Sequence, residues 1–146
     1  MAKSFSVFCL YADDVRHEVN GKVSFIGTYL GDLNATAPSL PSNIARLVVA
    51  IFVNIPRDRK FKRLNFEILW DDTVLQGMNF DAGQLPAGLD DNLAPDANGH
   101  VINLIAAIEP MQLKGNGSIN VKVTVDDDVV MGNKLKVNVQ VAPPPS

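Results

Sequence analysis

Of 146 residues only Cys9 is a cysteine, and only His17 and His100 are histidines. A lone thiol excludes an internal disulfide and fits a reducing compartment. Two separated imidazoles and one thiol also lack the paired ligand spacing of a zinc site. A basic excess is missing too. Thirteen Lys and Arg against sixteen Asp and Glu leave a charge of −3, with a pI near 5.2. That balance argues against a general nucleic-acid binder but leaves room for a local basic patch. The longest apolar run, at 47–53, has seven residues, whereas a membrane-spanning helix needs about 20. The opening MAKSFSVFCLYA stops at Asp13-Asp14 with no small-residue cleavage site. It therefore reads as a first strand rather than a signal peptide, and the expected location is the cytoplasm. No Gly-x-Ser-x-Gly elbow and no glycine-rich phosphate loop is present.

What is present is the composition of one globular domain: 47% apolar and 20% charged residues in a chain of ordinary single-domain length. The dominant pattern has a period of two. In 119–125 and 135–141 apolar and polar residues alternate without error, which sets one face of an antiparallel sheet on a core and the other in water. Asp126-Asp127-Asp128 and Gly132-Asn133 supply turn residues between them. Within 61–70, Leu64, Phe66, Ile68 and Trp70 share one face, and Asp71-Asp72 marks the turn to a return strand at 73–80. Asn20-Gly21 is the strongest short hairpin signal, joining 15–19 to 22–29. Stretches 5–11 and 47–53 are apolar on both faces and are expected to be central strands covered on each side. Residues 100–108 read as a strand, and 33–43, with two prolines, as a loop. Residues 82–99 form a long loop rich in Gly, Pro and Asp. Loops of that length are often functional. The expected fold is a single all-β antiparallel sandwich of eight or nine strands over 1–142, followed by an exposed proline-rich tail at 143–146. A β-barrel is the alternative.

The segment YADDVRHEVNGKVSFIGTYLGD, residues 11–32, resembles the opening of a family of small bacterial proteins whose domain carries no assigned function. Similar features follow at Asn54-Ile55-Pro56 and in the turn at 125–127. The resemblance implies a compact β fold in bacteria or their phages and brings no activity with it.

Several residue groups are candidates for contact or chemistry. Asp13, Asp14, Arg16, His17 and Glu18 form an acidic cluster near the start. Asp14, Arg16 and Glu18 fall on one strand face, where Arg16 is expected to pair with its neighbours. With His17, these carboxylates are also the material for acid/base chemistry. The acidic turns at 13–14, 71–72 and 126–128 would make a calcium site only if they converged, because calcium needs six to eight oxygens. Arg57, Arg59, Lys60, Lys62 and Arg63 pack five cations into seven residues, a patch for a small anionic ligand or an acidic partner. Leu85, Leu89 and Leu93 recur every fourth residue in the long loop and present a candidate partner contact. Cys9, mid-strand and in apolar sequence, is expected to be a buried structural thiol rather than a nucleophile.

No recognisable catalytic constellation and no cofactor motif emerge. The leading expectation is a non-enzymatic binding module with a protein partner, and a homodimer through an edge or face is a further expectation. The alternatives are a small-ligand or calcium binder using loops at one end, and a phage protein that binds a host defence component or nucleotide.

Overall fold

The computed structural model describes residues 5–56, 58–84 and 99–142. These residues carry twelve strands: β1 Ser6–His17, β2 Val23–Thr28, β3 Asp32–Ala37, β4 Ser42–Ile44, β5 Leu47–Pro56, β6 Arg63–Trp70, β7 Thr73–Asp81, β8 Gly99–Ile108, β9 Met111–Leu113, β10 Gly117–Val125, β11 Asp128–Met131 and β12 Leu135–Val141. One sheet has the order β2-β1-β5-β8. The larger sheet has the order β3-β12-β10-β6-β7, with β11 also on β10, and β4 and β9 form a separate pair. No sheet closes on itself, so the fold is the expected sandwich rather than a barrel, with twelve strands in place of the expected eight or nine because the short β4, β9 and β11 and the weakly alternating β3 do not show in the sequence pattern. The one parallel pair among the described residues is β3 on β12.

The period-two pattern explains the core. Leu64, Phe66, Ile68 and Trp70 of β6 and Ile119, Val121, Val123 and Val125 of β10 are all buried. Opposite them lie Cys9, Tyr11, Val49, Ile51, Val53 and Ile55 of the smaller sheet, in the same apolar cluster. Two-residue turns follow β6 and β10, and each places an aspartate, Asp71 or Asp126, at positive φ, a conformation Asp tolerates. The β1–β2 hairpin turns at Asn20 and Gly21, both also at positive φ.

The structure departs from the sequence pattern in three places. Residues 33–43 do not form a loop: β3 runs through 32–37, and its alternation is muted because Ala35 and Ala37 hold two of the inward positions. Between β10 and β12 lies the extra strand β11. It takes the edge of β10 at 122–125, while β12 takes the same edge at 117–119. The chain leaves that edge at Gly132-Asn133 and there meets β1. The Asn133 amide clamps the backbone of one residue, accepting from the Cys9 N–H at 2.6 Å and donating to the Cys9 carbonyl at 2.8 Å. Tyr11 adds a hydroxyl bond to the Asn133 carbonyl at 2.7 Å. Finally, β5 is central as expected, but β1 is not covered on both sides along its whole length: on its outward face Ala12 is buried, Leu10 half-buried and Phe8 open. Phe8 is 57% exposed, because it points away from the second layer of a two-layer fold.

Candidate functional site

The basic turn joins β5 to β6. Arg57 lies outside the described residues, and the other four cations have different surroundings. The Arg59 side chain is only 11% exposed and bonds Asp128 at 2.7 Å. It also donates to the Val125 carbonyl and lies over the Phe5 ring at 5.9 Å. Arg59 is therefore a structural tie between this turn and the β10–β11 hairpin. Lys60, Lys62 and Arg63 line a shallow concavity of about 570 Å³ together with Phe61, Asp126 and Asp127. Asp126 already holds the position an anion would take. Its carboxylate accepts the backbone N–H groups of Lys62 and Arg63 at 2.9 and 3.0 Å. Those two bonds, with help from Arg59 and Lys62, hold its carboxyl below the usual range.

The acidic cluster separates into three unconnected arrangements. Asp13 accepts a short hydrogen bond from the Tyr29 hydroxyl. Asp14 pairs with Arg46 at 2.8 Å, and Arg46 also reaches Glu109 at 3.2 Å. Arg16 pairs with Glu18 at 2.7 Å, as the shared face predicts, and Glu18 also accepts from Ser24. Asp14, however, takes its cation from elsewhere in the chain. His17 is exposed at the end of β1.

The acidic turns do not converge. Asp71 follows the last residue of β6 and bonds Ser118, whereas Asp126 bonds Arg63 at the first. Eight residues of strand separate them, roughly 25 Å. Among the described residues no three His, Cys, Asp or Glu side chains gather as metal ligands would.

The Cys9 thiol is buried, and burial pushes its pKa up to about 12. It stays a protonated structural group, as its apolar strand predicts. Leu85, Leu89 and Leu93 lie outside the described residues.

The outward faces of the two sheets carry different side chains. On the larger sheet the β3–β12 part of that face is rich in amides and hydroxyls, while Val129 and Met131 of β11 are about half exposed. Asn34, Thr36, Asn116, Asn138 and Gln140 line a concavity of about 390 Å³. The Asn138 amide donates to Asn34 at 3.0 Å and to Asp32 at 3.4 Å. On the smaller sheet the register sets Phe8 beside Phe52 and Asn103, Leu10 beside Ala50 and Ile105, and Ser6 beside Asn54 and Val101. The Phe8 and Phe52 rings are 6.1 Å apart. Val101, like Phe8, is 57% exposed, and Ile26 on β2 is 48% exposed. Leu10, Phe52 and Ile105 on the same face are half-buried and Ala12, Val48 and Ala50 are buried, so the open apolar surface is the part around Phe8 and Val101, the kind of exposed patch that suits a contact. Its signal in the sequence is the outward set Phe8, Leu10 and Ala12 on β1. Those residues alone suggest burial, because an apolar side chain carries no mark of which layer it faces.

Among the described residues no helix is long and apolar enough to cross a membrane. No curated protein matches the chain. A family model matches it over residues 7–138, which takes in all of β2 to β11 and most of β1 and β12. The chain therefore belongs to DUF6941, a family of unknown function.

Proposed function

We propose that this protein is a non-enzymatic interaction module that meets a protein partner through the outward face of the β2-β1-β5-β8 sheet. One observation carries the reading: this face presents the exposed Phe8 ring beside Phe52, with Val101 also open to solvent. Aromatic and aliphatic side chains on a rigid sheet lose little conformational freedom on contact, which suits them to anchor a partner. The basic turn supports a ligand less well. Arg59 is committed to Asp128, and Asp126 occupies the backbone N–H pair that an anion would use. The buried single thiol accords with a cytoplasmic setting, and the opening motif with a bacterial or phage source.

The test compares the tagged wild type with the Phe8→Ser variant, both recovered after cross-linking in the native cells. The expected result is a stoichiometric protein held by the wild type and lost by the variant, with thermal melting of the two nearly matched. A wild type that returns alone, or a variant that retains the same partner, overturns the reading.

A further inference from the structure

Exposed strand edges invite pairing with other chains, and proteins ordinarily blunt them with short strands, bulges, charge or proline. Of the four strands that end the two main sheet orders, three carry such devices, and β11, the side branch on β10, has only four residues. The edge strand β2 has six residues, and its ladder to β1 skips the pair at Gly27, which stands at φ 69°. The edge strand β3 also has six residues, begins at Asp32, and is followed by Pro38. At the edge strand β7 the ladder shifts between Ile68 and Leu69, and the strand ends at Asp81.

The fourth edge, β8, has none of them. Its ten residues, GHVINLIAAI, contain no Lys, Arg, Asp, Glu or Pro. They pair with β5 in unbroken register from Leu47↔Ile108 to Pro56↔Gly99. Among the described residues no strand pairs with the other side of β8.

The direction of its backbone groups follows from the Asn133 clamp. The Cys9 N–H and carbonyl bond Asn133 and so point away from β5. In an antiparallel pair, opposed residues either exchange both backbone bonds or neither. Ile51, opposite Cys9, therefore turns its N–H and carbonyl towards Leu104 of β8. By alternation, Val101, Asn103, Ile105 and Ala107 aim their N–H and carbonyl groups out from the open edge.

We infer that β8 is a self-pairing edge, at which two copies join antiparallel about a two-fold axis through Asn103. The edge carries no Lys, Arg, Asp or Glu side chain. A strand without charge is its complement, and a second β8 is such a strand at the same length. Centred on Asn103, the pairing opposes Val101 to Ile105 of the other copy and Ile102 to Leu104, so apolar side chains meet apolar ones. The two Asn103 side chains face each other, and an amide both donates and accepts, so like meets like without an orphaned group. The outcome is a continuous eight-stranded sheet built from two four-stranded ones. The pairing follows from backbone direction and edge composition, and it stands whether or not the face around Phe8 holds a different partner.

Sedimentation velocity from about 1 to about 100 µM, together with amide hydrogen exchange, tests it. The 15.8 kDa chain is expected to double in mass with rising concentration. Slow exchange is expected to appear at the amides of Val101, Asn103, Ile105 and Ala107 in the dimer, with fast exchange there at low concentration. The Asn103→Pro variant removes an outward N–H and spares the β5 ladder. It is expected to stay monomeric, while Phe8→Ser still dimerises. A wild type monomeric throughout overturns the inference. So does protection of those four amides in the monomer, or a dimer lost with Phe8→Ser and kept with Asn103→Pro.

Discussion

Two phenylalanines on neighbouring layers show how far a side chain's direction decides its energetic role. Phe66 is buried on β6 and meets Phe80 edge-on, with ring centroids 5.9 Å apart. Its replacement by Ala is expected to cost about 3–5 kcal/mol in urea unfolding. A loss under about 1 kcal/mol would place it on the wrong face. Phe8→Ser, at an exposed position, is expected to cost clearly less in the same assay. Asn133 contributes through a backbone clamp, not through burial. Asn133→Ala leaves the Cys9 N–H and carbonyl without their partners and is expected to cost about 1–3 kcal/mol. Its effect on the melting midpoint checks this. Alkaline pH tests two further groups. Burial raises the pKa of Cys9 from 9.0 to about 12. Burial, then the bond to Asp13, raises that of Tyr29 from 10.0 to about 12. Both keep their protons in the folded chain at a pH where the unfolded chain has released them. Their stabilisation is therefore complete below pH 9 and declines as pH rises towards 12. Denaturant midpoints measured on both sides of that window should fall as pH rises, and a flat profile would count against it.

Strands with strict alternation are legible in the amino-acid order alone. Leu64 to Trp70 and Ile119 to Val125 announce their inward faces because every second residue is large and apolar. The strand β3 is hidden by comparison, although it places Leu33, Ala35 and Ala37 inward. Two alanines give too little contrast with Asn34 and Thr36 to show a period. The strand β11 has only four residues, too few to show one either. The basic turn is visible as a run of charge, but its use is not. That Arg59 lies against Asp128, and that Asp126 fills the N–H groups of Lys62 and Arg63, depends on a hairpin more than sixty residues away. At the same scale, β6 and β10 meet where Gly117 faces Trp70. A Cβ there would lie 2.7 Å from the indole ring. Gly117→Ala is expected to displace the ring, shift its fluorescence, and cost about 1–3 kcal/mol. An unchanged emission spectrum and melting point would show that the ring has room to yield.

For the molecule as a whole, the sandwich is legible because its two inner faces follow one rule. Its function is not, because the outer faces follow different ones. A run of apolar residues such as Leu47 to Val53 reads the same whether its outward half meets a second layer, a partner or water. Only the arrangement of layers separates these cases. It shows that the smaller sheet has an apolar exterior at Phe8 and Val101, and that β8 ends the sheet without charge or bulge.

The position of β12 has a consequence for the order of assembly during synthesis. It is the last of the twelve strands, yet it lies inside the larger sheet, hydrogen-bonded to β3 on one side and β10 on the other. On the ribosome, β3 emerges about a hundred residues ahead of the strand that will anchor it. Until then β3 has no neighbour in that sheet, and long-range pairings of this kind close slowly. A nascent chain halted before Leu135 would carry β3 as an unpaired segment open to chaperones and proteases. Release of the final strand would seal it.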